Sequence, residues 1–267
     1  MIASGSGNGM IQVWDAQTGK LRWNVRAHAE NVNIVAFSQD GNYLVSSGLD
    51  EDGKKEIKTW SVVNGSPIMK FSADPGVVIA IWVNANGTRL KVGNLDGAVS
   101  EWNSATGALM RKRKMNPCSG SGSWVRRVAF NPDLSFMSAR CGEQTVVTDT
   151  TNKKIVRRIK MQADFTKTLA FSGNGKILSV TDLANIDVVD LSNGEIREVN
   201  QFDMGHIIDL NHNGTLLAEG GDWRSSAVKI TEVATGKTYR LLEGHPGIIN
   251  ALAFSPDGSS LASSSSD

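Results

Sequence analysis

Only two of the 267 residues are cysteine, Cys118 and Cys141. That excludes a disulfide-built scaffold. The simplest expectation is two reduced thiols in a reducing, cytoplasmic setting. No apolar run approaches the ~18 residues that a membrane helix needs. The N-terminus, MIASGSGNGMIQVWD, has no basic start followed by an apolar core, so no secretory signal is visible. No window of about 12 residues carries a helical i, i+3, i+4 stripe. Net charge is also lacking: 28 Lys+Arg against 27 Asp+Glu leave +1, a near-neutral total that hides an uneven distribution. Histidine occurs four times, at His28, His206, His212 and His245, which leaves few candidate bases or metal ligands. What remains is 40% hydrophobic and 21% charged, an ordinary globular balance and not a disordered one.

A repeated unit is present instead. An apolar run ending in a short turn recurs as VNIVAFSQDG (32–41), VVIAIWVNANG (77–87), VRRVAFNPDL (125–134), TKTLAFSGNG (166–175), HIIDLNHNG (206–214) and IINALAFSPDG (248–258). Each is followed by further short apolar stretches and a second turn, such as WDAQTG or WNSATG. Anchor positions fall at Trp14, Trp60, Trp102, Thr148, Val189 and Thr231, in steps of 46, 42, 46, 41 and 42. A fixed period of this size denotes an array of equivalent supersecondary units. Each unit holds four β-rich stretches, a to d. Asn-Gly and Asp-Gly turns join a to b, a strong hairpin signal. Strand a is apolar nearly throughout, as for a strand buried on both faces, and strand d turns polar, as for an outer edge. Four-stranded sheets repeated about an axis form a β-propeller.

GHPGIINALAFSPDGSSLASSSSD (244–267) and MIASGSGNGMIQVWDAQTGK (1–20) resemble the WD40-repeat family, and the resemblance extends over essentially the whole chain. It implies an all-β fold: a WD40-type β-propeller of four-stranded antiparallel blades, about six repeats in one domain, 1–267. A partial blade at 1–26 precedes repeats at about 31–72, 76–115, 123–160, 163–200 and 203–243, and a partial blade at 245–267 follows. It also implies a polar network of His, Ser, Asp and Trp inside a blade. The second unit carries it as His28, Ser46 or Ser47, Asp50 and Trp60, and His245 takes the place of His28 in the last unit. The third unit keeps Asp96 and Trp102 but has Asp74-Pro75 where the His would stand. Thr148, Val189 and Thr231 replace Trp in later units, so the network is expected to be degenerate there.

Both termini look cut within a blade. LASSSSD (261–267) overlays IASGSGN (2–8), so strand b occurs twice. The chain closes as six blades, with 245–267 supplying a and b and 10–26 supplying c and d, or it is a segment of a longer protein with a larger ring. The segment reading is favoured, because a fresh strand b at the last residue leaves an unpaired edge.

The implied function is a non-catalytic protein-interaction scaffold. The a–b and c–d turns are uniform, whereas LDEDGKKE (49–56), GGDWRSSA (220–227) and NPCSGSGSW (116–124) lengthen b–c or d–a connections, which emerge on one rim. Binding residues favour such loops on rigid scaffolds. The candidate contacts are Trp124, Arg126, Arg127, Arg140, Trp223 and Arg224. Residues 109–160 hold 12 Lys/Arg against three acids, a local +9 that leaves −8 for the remainder. That sector suits an acidic protein segment. Its strand-d members, Arg111–Lys114 and Arg157–Arg158, equally suit a solvated edge. No nucleic-acid motif, metal-ligand spacing or phosphate loop is present, and no cofactor or membrane partner is expected. Asp209 stands where Ala36, Ala129, Ala170 and Ala253 stand in other units, so a buried carboxylate there needs a partner. Two alternatives remain. DAQTGKLRW (15–23) resembles a repeat of quinone-binding propeller enzymes, in which a Trp packs onto the next blade; Phe71, Lys112, Arg158 and Leu242 are its expected counterparts. The chain could instead be a structural segment of a larger multidomain protein, whose further domains are then its partners.

Overall fold

The computed structural model describes residues 1–38, 40–72, 77–84, 87–118, 125–160, 168–181, 185–200, 207–220 and 226–266. Among them are strands and no helix, in two compact units, 1–115 and 116–267. In the first unit, β1 (Ile2–Gly5), β2 (Met10–Trp14) and β3 (Leu21–Arg26) form a three-stranded sheet. The next sheet is β4 (Val32–Phe37), β5 (Tyr43–Leu49), β6 (Lys55–Ser61) and β7 (Pro67–Ser72). The third is β8 (Val78–Val83), β9 (Arg89–Asn94), β10 (Ala98–Asn103) and β11 (Leu109–Lys114).

The second unit begins with β12 (Val125–Phe130), β13 (Phe136–Cys141), β14 (Gln144–Asp149) and β15 (Ile155–Lys160). Then come β16 (Thr168–Phe171), β17 (Ile177–Thr181), β18 (Asn185–Asp190) and β19 (Ile196–Asn200). A further sheet holds β20 (Ile207–Leu210), β21 (Leu216–Gly220), β22 (Val228–Glu232) and β23 (Thr238–Leu242). Last is the pair β24 (Ile249–Phe254) and β25 (Leu261–Ser265). Every pairing is antiparallel and follows chain order, as the hairpin signals require. The expected all-β class and four-stranded blades are therefore what the chain adopts.

The a–b turns work because one residue takes a positive φ. Gly41, at φ 74, is typical. The fourth unit puts Leu134 there at φ 55, and Lys153 at φ 64 in its c–d turn. A side chain in that region costs about 1–2 kcal/mol, so this unit keeps its turns by tertiary support and not by local preference.

There is no single core. Apolar layers lie between successive sheets of each unit. Ile11, Val13 and Trp23 meet Leu44, Trp60 and Val62; Val45, Ile57 and Phe71 meet Val78, Ile81 and Leu90. Val147 and Ile159 meet Leu169, Phe171 and Val180, and Ile186, Val188 and Val199 meet Ile208, Leu210 and Leu217. Each such side chain contributes roughly 1.5–3 kcal/mol when fully buried. In the four-stranded sheets strand b is the most buried: β13 is buried at five of six positions, whereas β4 is buried at one of six and β20 at two of four. The expectation that strand a is buried on both faces needs this correction. Strand a is an edge of its sheet, and its apolar residues serve the packing of sheet on sheet, as β4 on β8 and β16 on β20.

A β-bulge precedes the strand-c anchor in the c–d pairing of most sheets, at Val13/Trp14, Thr59/Trp60, Glu101/Trp102, Val147/Thr148 and Ile230/Thr231. The bulge slips the register by one residue. By strand register, Trp23 corresponds to Met69, Arg111, Arg157, Arg197 and Arg240, and the expected Phe71, Lys112, Arg158 and Leu242 lie one or two residues further along strand d. This position reaches the next sheet. Trp23 Nε1 donates to Val62 O at 2.8 Å, and the ring lies where a side chain on Gly65 (φ 72) would be. Arg157 donates to Leu191 O at 3.4 Å and Arg197 to Ala234 O at 3.2 Å. The Trp that suggested a quinone-type repeat is thus one of several strand-d side chains that dock one sheet onto the next.

Candidate functional site: a buried polar chain and the surfaces around it

The β4–β7 sheet holds a chain of polar side chains. His28 leaves the β3–β4 connection and is buried. Its Nε2 lies 2.8 Å from Ser46 Oγ, and its Nδ1 lies 2.9 Å from Glu56 Oε1. Trp60 Nε1 donates to Ser46 Oγ at 2.9 Å. One assignment of protons satisfies all three contacts: the Trp60 N–H donates to Ser46, the Ser46 hydroxyl donates to His28 Nε2, and His28 Nδ1–H donates to Glu56. Burial lowers the His28 pKa, against the pull of Glu56, so the neutral ring fits. Gly48 makes room for it: a Cβ there would come within 2.4 Å of the imidazole.

Glu56 carries the charge balance. Lys58 Nζ lies 2.7 Å from Oε1 and Lys70 Nζ lies 2.7 Å from Oε2. Burial pushes the Glu56 pKa up, but the bonds from Lys58, Lys70 and His28 outweigh it and hold the carboxyl below its ordinary value. Lys58 also donates to Ala27 O at 2.7 Å, which ties the sheet to the segment before it.

Two expectations need correction here. Ser46 makes the bonds, not Ser47, because alternation along β5 turns adjacent side chains to opposite faces. Asp50 is not the acid of the chain. Its Oδ1 accepts from Asp52 N at 3.1 Å and Lys54 N at 2.8 Å, closing its own turn, and it meets the cluster only through Lys70 at 3.9 Å. Glu56 was missed, although Glu56, Lys58 and Trp60 alternate along β6 and so share one face. In the β24–β25 pair, His245 Nε2 lies 2.9 Å from Ser263 Oγ, the counterpart of the His28–Ser46 contact. The third sheet has Trp102 donating to Ser100 at 3.1 Å, and the expected Asp74-Pro75 lies outside the described residues.

This chain is built for support. A general base needs a nitrogen free to meet a substrate proton, and both ring nitrogens of His28 are committed. A polar cavity of about 380 Å³ opens beside the cluster, lined by Arg26, His28, Asp50, Glu51, Lys58 and Lys70 among others. Its carboxylates and ammonium groups are interleaved, and the two lysines already neutralise Glu56.

Of the expected rim contacts, Trp124, Trp223 and Arg224 lie outside the described residues, as does His206. Arg126 and Arg127 lie on β12. Arg140 is on β13 and only 3% exposed, so it is a buried arginine and not a rim contact. Strand alternation and its place on strand b, the most covered strand, put it inside.

Cys118 and Cys141 are joined in a disulfide, which overturns the expectation of two reduced thiols. They are 23 apart in sequence, and both are buried against Val146. The fold brings the β11–β12 connection onto the end of β13. The bond removes the thiol-based reason for expecting a reducing compartment.

Asp209 has found its partner across a sheet boundary. Its Oδ2 accepts from Phe254 N of β24 at 2.8 Å. Burial raises its pKa to about 6, against the bonds from the Phe254 and Leu210 amides. A raised acid pKa means that the folded state holds the proton more tightly than the unfolded chain. Stability from this group is therefore present at low pH and falls as pH rises from about 4 to about 6. Asp209→Asn keeps the acceptor and removes the charge. We expect it to stabilise the second unit by about 2 kcal/mol at pH near 8 and to be neutral near pH 4, measured by urea unfolding. A gain that does not change with pH would remove ionisation from the explanation.

Among the described residues, no group of three or more His, Cys, Asp or Glu could hold a metal ion, and no helix is long and apolar enough to cross a membrane. A family model described as WD domain, G-beta repeat matches residues 19–54 and 236–267. The chain is 24% identical over 227 residues to WD repeat-containing protein SL1-17 of Schistosoma mansoni, covering 79% of this chain and 70% of that protein. It is 30% identical over 112 residues to eukaryotic translation initiation factor 3 subunit I of Aspergillus fumigatus, covering 42% of this chain and 30% of that protein. Among solved structures, the β-propeller domain of Cps50 (Swd1) from Myceliophteria thermophila superposes with a TM-score of 0.77 at 14% identity, over 99% of this chain and 89% of that one.

Proposed function

Because this chain belongs to the WD40-repeat family, we propose that it is a non-catalytic scaffold that binds a partner protein through the b–c and d–a connections of its blades. One observation carries the reading. The sheets and their a–b and c–d turns are near-uniform, while the b–c and d–a connections differ from unit to unit. A rigid repeated frame with variable loops is suited to recognition. The solved structure it superposes on is a β-propeller domain, and the Aspergillus relative is named as a subunit of a translation initiation factor.

In this reading Trp124, Arg126, Arg127, Trp223 and Arg224 contact the partner, and the basic residues favour an acidic segment. Arg140 supports β13 from within and is not part of the contact. The test is a photo-crosslinking side chain at Trp124 or Trp223, in the protein from its native source. Cross-links to one partner are expected, with a loss of about tenfold in affinity for Arg126→Glu/Arg127→Glu and an unchanged melting temperature. Cross-links confined to other faces, or affinity unchanged by the double substitution, would remove the rim from the account.

A further inference from the structure

The outer edge of the third sheet differs from β7, β15 and β19, and unlike β23, which is exposed throughout, it carries a run of cations. β11 is the last strand of its sheet, so among the described residues no strand lies beside one row of its backbone N–H and C=O groups. In β7, β15 and β19 one side chain is buried against a neighbouring sheet: Phe71, Ile159 and Val199. The residue at that position in β11 is Arg113. No side chain of β11 is fully buried. It opens with Leu109, 48% exposed, and Met110, 51% exposed, and continues as four consecutive cations, Arg111–Lys114. Lys114 lies 3.5 Å from Asp96, and both are exposed.

Charge on an edge strand commonly blocks pairing between copies of one protein. The same charge selects for a partner of opposite sign. Because side chains alternate across the strand, Arg111 and Arg113 leave one face and Lys112 and Lys114 the other. An added strand must therefore be acidic on both faces to be matched. The bulge between Glu101 and Trp102 leaves Met110 without a cross-strand residue, so the regular ladder available for pairing is the four-residue stretch Arg111–Lys114.

We propose that the outer edge of β11 is a docking strand for an acidic, extended segment of a partner protein, which adds antiparallel to the sheet. Backbone hydrogen bonds supply the attachment, and the four cations supply the selectivity. The antiparallel direction sets the order of the segment. Its acidic residues come first, opposite Lys114 to Arg111, and apolar residues follow beyond that ladder, toward the side chains of Met110 and Leu109. The inference is independent of the rim reading, since it uses a sheet edge and no connection between strands.

The probe is a fluorescent hexapeptide, Asp-Glu-Asp-Glu-Val-Leu, titrated against the whole protein at low and moderate salt and followed by anisotropy. Three further peptides separate the contributions: the same sequence with alternate amides N-methylated, the reversed sequence, and a hexapeptide of glutamate alone. Binding of the first peptide is expected to weaken with salt and to exceed each of the other three by about tenfold. Lys112→Glu/Lys114→Glu is expected to abolish it. Equal binding of the N-methylated or all-glutamate peptide would reduce the edge to a charged surface. Equal binding of the reversed peptide would overturn the antiparallel direction, and no binding of the first would overturn the proposal. These peptide comparisons use the unaltered protein, so they decide the matter even where the double variant fails to fold.

Discussion

Glu56→Ala is expected to destabilise the first unit by about 3–5 kcal/mol, as removal of one member of a buried charge cluster does. The side chain is buried and is met by Lys58, Lys70 and His28 at once. Its loss leaves Lys58 partly buried without its carboxylate and His28 Nδ1–H without an acceptor. The His28–Ser46–Trp60 chain then loses its end, and the Lys58 tie to Ala27 O is weakened with it. Urea unfolding followed by tryptophan fluorescence measures the change. A loss below about 1 kcal/mol, the range of an exposed ion pair, would mean that water already fills the site.

The pH dependence of the same cluster has a definite sign. The folded-state pKa of His28 is lowered, chiefly by burial, so the unfolded chain takes up a proton more readily as pH falls through about 6.5. The folded-state pKa of Glu56 is lowered as well, by bonds that outweigh its burial. Both groups make the first unit lose stability in acid, first through the histidine range and then through the carboxylate range. Asp209 acts oppositely in the second unit. The Glu56→Ala loss should therefore shrink as pH falls below about 4.5, the ordinary value of a glutamate.

Reduction of the Cys118–Cys141 bond is expected to cost the second unit about 3 kcal/mol, from the closed loop of their separation of 23 residues. The urea midpoint of the native protein should fall on addition of dithiothreitol, whereas that of Cys118→Ala/Cys141→Ala should not respond. Alkylation in denaturant without reductant should label neither cysteine. Two labels on each molecule would return both residues to the thiol state and restore a reducing compartment as the natural setting.

The legible parts of this fold were those written in short stretches of chain. The a–b turns could be located because Asp-Gly and Asn-Gly supply a positive φ wherever they stand, and the anchors from Trp14 to Thr231 gave the period directly. Four-stranded blades followed from these two features. His28, Trp60 and a serine at 46 or 47 were legible through resemblance to a family pattern, and the structure brings His28 and Trp60 onto Ser46. Asp50 was misjudged because a carboxylate at a turn has two available roles, and closing its own turn is the nearer one. The counterparts of Trp23 were placed one or two residues too far along strand d, although the spacing of Trp23 from Gly19, repeated from Gly65, Gly107, Lys153 and Gly236, reaches Met69, Arg111, Arg157 and Arg240.

The amino-acid sequence by itself determined the all-β class, the repeat, the turn positions and the exposed cationic run on β11, since φ preference, alternation and charge act within a few neighbouring residues. Only the tertiary structure decided that Glu56 completes the polar chain, that Arg140 is internal, that Cys118 and Cys141 are bonded, and that Asp209 meets Phe254 N. Each of these joins or covers groups on different strands, and the partners in the last lie 45 residues apart. Their distances follow from how one sheet stacks on the next and how each strand is covered, and local preference carries no information about either.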